Sequence, residues 1–360
     1  MGNLDNLMGC LLGTAVGDAL GLPSEGLSKH RQQRLYPQLH RHHFLLGKGM
    51  VSDDTEHTCM VAQALIASGG DETEFARQLS WRMRFWLLGL PAGIGWATLR
   101  AIGKLWLGFP SDSSGVFSAG NGPAMRSAII GVAYGDNLPK LRALVKISTR
   151  ITHTDPKAEY GAMAVAVAAY LASRDSASAH PRLRLVSPPE YYQTLAMVLE
   201  PAAGELLALI QQAITSVTAG QTTAEFALSL GLENGITGYI YRTVPVVIHA
   251  WLRSQPDYRT GILDIIHCGG DTDTTAAILG GIMGAAGGKS SIPQVWLDDL
   301  IEWPRSVQWI TALGQRLAEV TNQGTRQPAL PLPLWGVLIR NLVFLIVVIL
   351  HGFRRLLPPY

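Results

Sequence analysis

Gly269-Gly270-Asp271-Thr272-Asp273-Thr274 is the stretch on which the reading of this chain turns. Two carboxylates stand two residues apart, with hydroxyls between and after them. A glycine pair precedes them and a small, apolar run (Thr275 to Ala286) follows. That spacing lets both Asp side chains and Thr274 converge on one point at the mouth of a helix. All-oxygen sets of this kind suit hard cations such as Mg²⁺, Mn²⁺ or Ca²⁺. The competing explanation is a helix start whose acids face the positive end of the helix dipole.

A second cluster, Ser52-Asp53-Asp54-Thr55, has the same character. Ser52 reads as an N-cap with two acids in the first turn. A capped helix start can still present carboxylates to a cation, so the two explanations are compatible here. Two such starts facing each other would bring four carboxylates and several hydroxyls to one cleft, about what a two-metal site needs. Gly17-Asp18-Ala19-Leu20-Gly21 leads to Pro23 and to a further acid, Glu25. Gly120-Asn121-Gly122-Pro123 is a tight turn into a helix, where backbone N–H groups can face a phosphate. His153, beside Asp155 in Thr152-His153-Thr154-Asp155-Pro156, either bonds a ligand or caps a helix.

Around these motifs the chain reads as all-α. Residues 4 to 20 form a buried helix, 26 to 50 a loop punctuated by Pro37, Gly47 and Gly49, and a helix follows Ser52. Helices occupy 72 to 108 with breaks at Gly89, Pro91 and Gly108, and a Ser/Gly loop spans Ser111 to Gly122. Further helices are expected from Ala124, over Leu138 to Arg150, and over the alanine-rich Lys157 to Ser173. A loop covers 174 to 189. Helices resume at Tyr191 to Leu199, Ala202 to Val217, Ala224 to Leu230 and around Val246 to Leu252.

With 360 residues, 48% hydrophobic and 16% charged, the chain is a well-buried globular protein. A net charge of +2 without a long basic stripe argues against nucleic acid as an obligatory partner. The most basic segment, Lys29 to His43, reads as a solvated loop. Three cysteines (Cys10, Cys59, Cys268) without metal spacing point to a reducing compartment. No secretory signal is expected, because a basic n-region is lacking and Asp5 interrupts the apolar run.

Residues 1–321 read as one catalytic domain, 322–333 as a Gln/Pro-rich linker and 334–360 as an apolar tail. The nine unbroken apolar residues Leu342 to Leu350 fall short of a bilayer span, and the 17 counted from Leu334, with Arg340 among them, stand at its short limit, since a span takes about 20. Three readings are open for residues 334–355: a tail anchor with Arg354 and Arg355 at the interface, an interfacial helix, or a helix packed on a partner. Association with the cytoplasmic face of a membrane is the expectation, since so apolar a face needs cover.

The ordered motifs GDALGLPSE (Gly17 to Glu25), SDDT (Ser52 to Thr55), GNGPAMR (Gly120 to Arg126), THTDP (Thr152 to Pro156) and GGDTDT (Gly269 to Thr274) resemble those of the ADP-ribosylglycohydrolase family, from about Leu7 to Gly287. The resemblance implies a compact orthogonal helical bundle with a central cleft for two Mg²⁺ or Mn²⁺ ions. By motif position, Ser52, Asp53, Asp54 and Asp273 would hold one ion and Asp53, Asp271, Asp273 and Thr274 the other. Ser118, Gly120, Asn121 and Gly122 would face the diphosphate and ribose, and His153 would contact the ligand. Glu25 matches a mobile-loop glutamate that gates the cleft. Asp53, Asp271 and Asp273 are the expected indispensable catalytic residues, with Glu25 or Asp54 assisting.

The implied reaction is hydrolysis of the glycosidic bond between ADP-ribose and a modified side chain, arginine favoured. A silent ADP-ribose binder, a structural relative and a hydrolase of small ADP-ribose conjugates are the alternatives. The chain departs from the family pattern at four places: Ser52 for threonine, Ile129 for proline, Tyr241-Arg242 where an acid is common, and His267-Cys268 before the glycine pair. None removes an expected ligand, but Tyr241-Arg242 puts the pocket rim in question.

Overall fold

The computed structural model describes residues 2–174 and 185–358. The architecture is the expected all-α one: eighteen α-helices, three short 3-10 turns and no β-strand among the described residues. Part of the loop expected at 174–189 lies outside them.

At the centre, the helix Gly2–Gly21 lies antiparallel against the helix Thr272–Gly287. Their contact is backbone to backbone. Gly9, Gly13, Gly17 and Gly21 recur every fourth residue, so they share one face of the first helix. A Cβ on any of them would overlap a carbonyl oxygen of the second helix, at Gly284, Gly280, Ala276 and Thr272 in turn. The absence of side chains along this seam permits a closer approach than ordinary helix packing allows. The register matters for function, because Gly21 pairs with Thr272. The chain leaving the first helix through Asp18, Pro23 and Glu25 is thereby set beside the start of the second.

The alanine-rich helix Pro156–Ser173 and the helix Ile240–Ser254 pack around this pair, and both are almost wholly buried. The latter begins well before the expected Val246. Pro245 sits inside it, where a proline ordinarily marks a boundary because it removes one ladder hydrogen bond. Burial on every side stabilises the turn that precedes it. The stretch 26–50 differs from expectation too, since it contains the short helix Lys29–Leu35, capped by Ser28. Gln32 anchors this helix by donating to the Ile266 carbonyl at 2.9 Å. Helices Tyr258–Ile266 and Val307–Gln323 complete the bundle.

The last helix, Leu334–Arg354, is docked on the chain's own bundle. Phe344 and Val347 join Leu22, Phe44 and Met50 in a second small core. His351 bonds the Phe44 carbonyl and the Tyr36 hydroxyl, the latter at 3.1 Å. Arg355 donates to the Pro23 carbonyl at 3.1 Å.

Candidate active site

The starts of the helices Asp53–Ser68, Trp96–Trp106, Gly122–Met125 and Thr272–Gly287, with the turns that carry Glu25 and His153, meet at one cleft of about 350 Å³. Its walls include Glu25, Asp53, Ser118, Gly120, Asn121, Gly122, His153, Asp271, Asp273 and Thr274. Every residue singled out in the sequence is therefore at this cleft or, for Ser52 and Asp54, immediately behind it.

Ser52 caps its helix as expected, accepting from the Asp54 amide at 3.3 Å and donating to Asp54 Oδ2 at 3.0 Å. Thr274 Oγ1 donates to the same Asp54 oxygen at 3.2 Å, which joins the two acidic motifs across the cleft. Asp271 stands at the N-cap position of its helix but does not cap it with its side chain. Its Oδ2 instead accepts from Asn121 Nδ2 at 2.6 Å. Capping alone therefore explains Ser52 but not Asp271. Gly269 and Gly270 lead into the site with φ of 73° and 81°, a region open to glycine and strained for other residues. A Cβ on Gly270 would also overlap the Ile236 carbonyl.

Asp18 belongs to the site and was not singled out from the sequence. It accepts from the amides of Ser52 (2.9 Å) and Thr55 (3.1 Å) and from the Thr55 hydroxyl. Ligand oxygens of Asp18, Asp54 and Asp273 lie within 4.8 Å of one another. Its signal was present in Gly17-Asp18-Ala19, where an acid inside an otherwise apolar helix demands a partner.

So many carboxyls in so little water repel their own charge. Burial, followed by the charges of neighbouring acids, drives Asp53, Asp54 and Asp273 well above the usual carboxylate range. Burial also lifts Asp271, against the bond from Asn121. Asp18 rises to about 7 through burial, opposed by its bonds from Thr55 and Ser52. Glu25 reaches into the cleft from an exposed turn. Loss of water around its carboxyl and then the charge of Asp271 raise it, while Arg355 opposes them. One oxygen each of Asp54 and Asp273 is buried without any hydrogen-bond partner. Buried, unpartnered, mutually repelling carboxylate oxygens are the donor set that a hard divalent cation satisfies.

Arg126, which is fully buried, lies behind His153. Its guanidinium donates to the Ser148 carbonyl at 2.8 Å and to Thr152 Oγ1 at 2.6 Å, and meets His57 Nδ1 at 3.1 Å. Thr152 Oγ1 in turn lies 2.9 Å from His153 Nδ1. Burial and the Arg126 charge lower His153 to about 3, so its imidazole is neutral. A Cβ on Gly120 would stand 3.0 Å from His153 Nε2, and one on Gly122 3.2 Å from Cε1. The two glycines thus leave room for the ring and for a ligand above it.

Of the positions that depart from the family pattern, Tyr241 is buried. Arg242 turns away to the Leu230 carbonyl at 2.6 Å. Only Gly238 of that segment lines the cleft, so the rim does not carry the change. Ile129 is a core residue.

Behind Ser52 lies a buried charge network. Arg340 of the last helix donates to Glu302 Oε2 at 2.8 Å and to the Val51 carbonyl, while Glu302 accepts from the Val51 amide at 3.2 Å. Arg305 pairs with Glu56 at 2.6 Å. The residue before the SDDT motif is held at both its amide and its carbonyl.

An acid-lined cleft in an all-α bundle, walled by a glycine turn and a neutral histidine, is the arrangement that the resemblance of the five motifs implies. The ADP-ribosylglycohydrolase family model matches residues 2–326. The chain belongs to the ADP-ribosylglycohydrolase family and is a hydrolase of glycosidic bonds. It is 26% identical to the ADP-ribosyl-[dinitrogen reductase] glycohydrolase of Rhodospirillum rubrum, over 82% of this chain and 90% of that one. It is 26% identical to the ADP-ribosylarginine hydrolase Tri1 of Serratia proteamaculans, over 84% of this chain and 77% of the relative. A solved structure titled "ADP-ribosylglycohydrolase-related protein complex" superposes with a TM-score of 0.60 at 25% identity, covering 89% of this chain and 99% of that chain.

Proposed function

We propose that this cleft removes ADP-ribose from a modified side chain, arginine favoured, with two Mg²⁺ or Mn²⁺ ions as resident cofactors. The supporting observation is the pair of buried, unpartnered oxygens on Asp54 and Asp273, beside Asp18 and facing Asp53 and Asp271. By the donor set, Ser52, Asp53, Asp54, Asp271, Asp273 and Thr274 would hold the ions, with Asp18 as a further carboxylate within reach. When bound, such ions orient ribose hydroxyls and make a water more acidic.

The remaining work falls to the chain's own groups. Asn121, tied to Asp271, and the Gly120–Gly122 turn would seat the ribose and diphosphate, with the neutral His153 ring against them. A water oxygen bonds to the anomeric carbon as the bond from that carbon to the leaving nitrogen breaks, through an oxocarbenium-like transition state. The water's proton passes to a carboxylate at the cleft mouth, Glu25 by position and raised basicity, and from there to the leaving guanidino nitrogen. The arginine-directed relative is the ground for favouring a guanidino acceptor.

The test is release of free ADP-ribose from arginine-, serine- and nucleotide-linked conjugates, with Mg²⁺, with Mn²⁺ and with chelator, beside Asp273→Ala. Metal-dependent release abolished in the variant supports the proposal, and the conjugate cleaved identifies the linkage. Metal-dependent binding of ADP-ribose without release from any conjugate would replace it with a silent binder.

A further inference from the structure

The helix Leu334–Arg354 lies beyond the family match and is built inside out for a protein in water. Its two mid-helix polar side chains point inward. Arg340 is 5% and Asn341 1% exposed, the first tied to Glu302 and Val51 and the second to the Gly89 carbonyl at 2.7 Å. Every exposed residue from Leu334 to Leu350 is apolar. Ile339, Leu342, Ile346, Leu350 and Phe353, three or four apart, form a stripe with each residue between 47% and 63% exposed. Contiguous apolar surface of this length mostly marks an interaction site.

Two observations identify what covers it. After Glu319 the sequence has no acid, and the four charged residues that follow are arginines (Arg326, Arg340, Arg354, Arg355). The last two stand at one end of the stripe, where Tyr36 bonds His351, so the basic segment Lys29 to Arg41 adjoins them. At the other end, exposed Trp303 and Trp335 pack with ring centroids 5.4 Å apart. An apolar stripe with indoles at one end and fixed positive charge at the other is complementary to the surface of an anionic bilayer.

We propose that this helix lies flat in the surface of an anionic lipid leaflet, its outer face in the acyl boundary and its inner face still docked on the catalytic domain. Spanning is disfavoured by the inner face, since drawing Arg340 into the hydrocarbon would strip it from Glu302 and Val51. The cytoplasmic leaflet is the anionic one. It also adjoins the reducing compartment that the free, buried Cys10, Cys59 and Cys268 suit.

The full-length chain is to be co-sedimented with vesicles of phosphatidylcholine alone and of phosphatidylcholine with phosphatidylserine. Binding to the anionic vesicles, at least tenfold weaker binding to the neutral ones and release by carbonate wash are expected. Arg354→Gln is expected to weaken anionic binding about fivefold, one surface charge being worth about that factor. Ile346→Asp is expected to abolish it, with circular dichroism and hydrolysis of a soluble conjugate unchanged. Any of three results overturns the proposal: no sedimentation with either vesicle, retention after carbonate wash as for a spanning helix, or a lipid-free dimer that Ile346→Asp converts to monomer.

Discussion

Replacing Arg340 by leucine tests whether the last helix braces the SDDT loop by charge or only by apolar contact. In the folded protein the Arg340 guanidinium lies 2.7 Å from Glu302 Oε1, at an angle that makes the contact ionic rather than an in-line hydrogen bond. It also donates to Glu302 Oε2 and the Val51 carbonyl, and lies 4.4 Å over the Phe344 ring. Both partners are almost wholly buried. Leucine would fill part of the space but leave the Glu302 carboxylate uncompensated, and breaking one side of such a pair costs about 3–5 kcal/mol. With an unfolding entropy of about 2.1 cal/mol/K per residue, a chain of this length would lose about 4–7 °C in Tm. Thermal and urea denaturation of the full chain measure the loss. Arg340→Leu combined with Glu302→Gln removes the stranded charge while leaving an acceptor for the Val51 amide, so most of the loss should return. If the single and double variants melt together, or if the single variant shifts Tm by under 1 °C, the electrostatic account is wrong.

Two further outcomes follow from the packing. Gly13→Ala would drive a Cβ into the Gly280 carbonyl oxygen and should destabilise by about 1–3 kcal/mol through overpacking. Gly103→Ala, on a helix where a new Cβ meets nothing within 4 Å, should stabilise by about 0.5–1 kcal/mol, and urea midpoints separate the two. His249 is buried, stacked on Phe226 and 3.1 Å from the Ser216 hydroxyl, and burial lowers it to about 4. Since the unfolded chain then binds the extra proton first, stability should be full above about pH 6.5 and decline as pH falls towards 4. The contribution is on the order of 3 kcal/mol, and His249→Leu should flatten that part of the stability–pH curve relative to wild type.

Much of the site could be read before any coordinates. Carboxylates next to hydroxyls at helix starts are local patterns, so Ser52, Asp53, Asp54, Asp271, Asp273 and Thr274 stood out, as did the Gly120–Gly122 turn and His153. Asp18 did not, because its role comes from hydrogen bonds to Ser52 and Thr55 thirty-odd residues away. Arg126 closed a quoted motif, yet its task of holding Thr152 and so His153 appears only once the turns are packed. Pro245 hid the start of its helix, because a proline's local cost says nothing of the burial that overcomes it.

By itself, then, the sequence determined the helical class, the acidic motifs with their glycine hinges, and the apolar character of the last segment. These depend on period, cap chemistry and composition, which neighbouring residues set. Tertiary structure alone decided that a glycine seam pairs Gly21 with Thr272, bringing Asp18 and Glu25 to the GGDTDT acids. It also decided that the last helix turns Arg340 inward and its apolar face outward. Both are settled by which surfaces exclude water against one another, and that is a property of the packed chain rather than of any stretch of it.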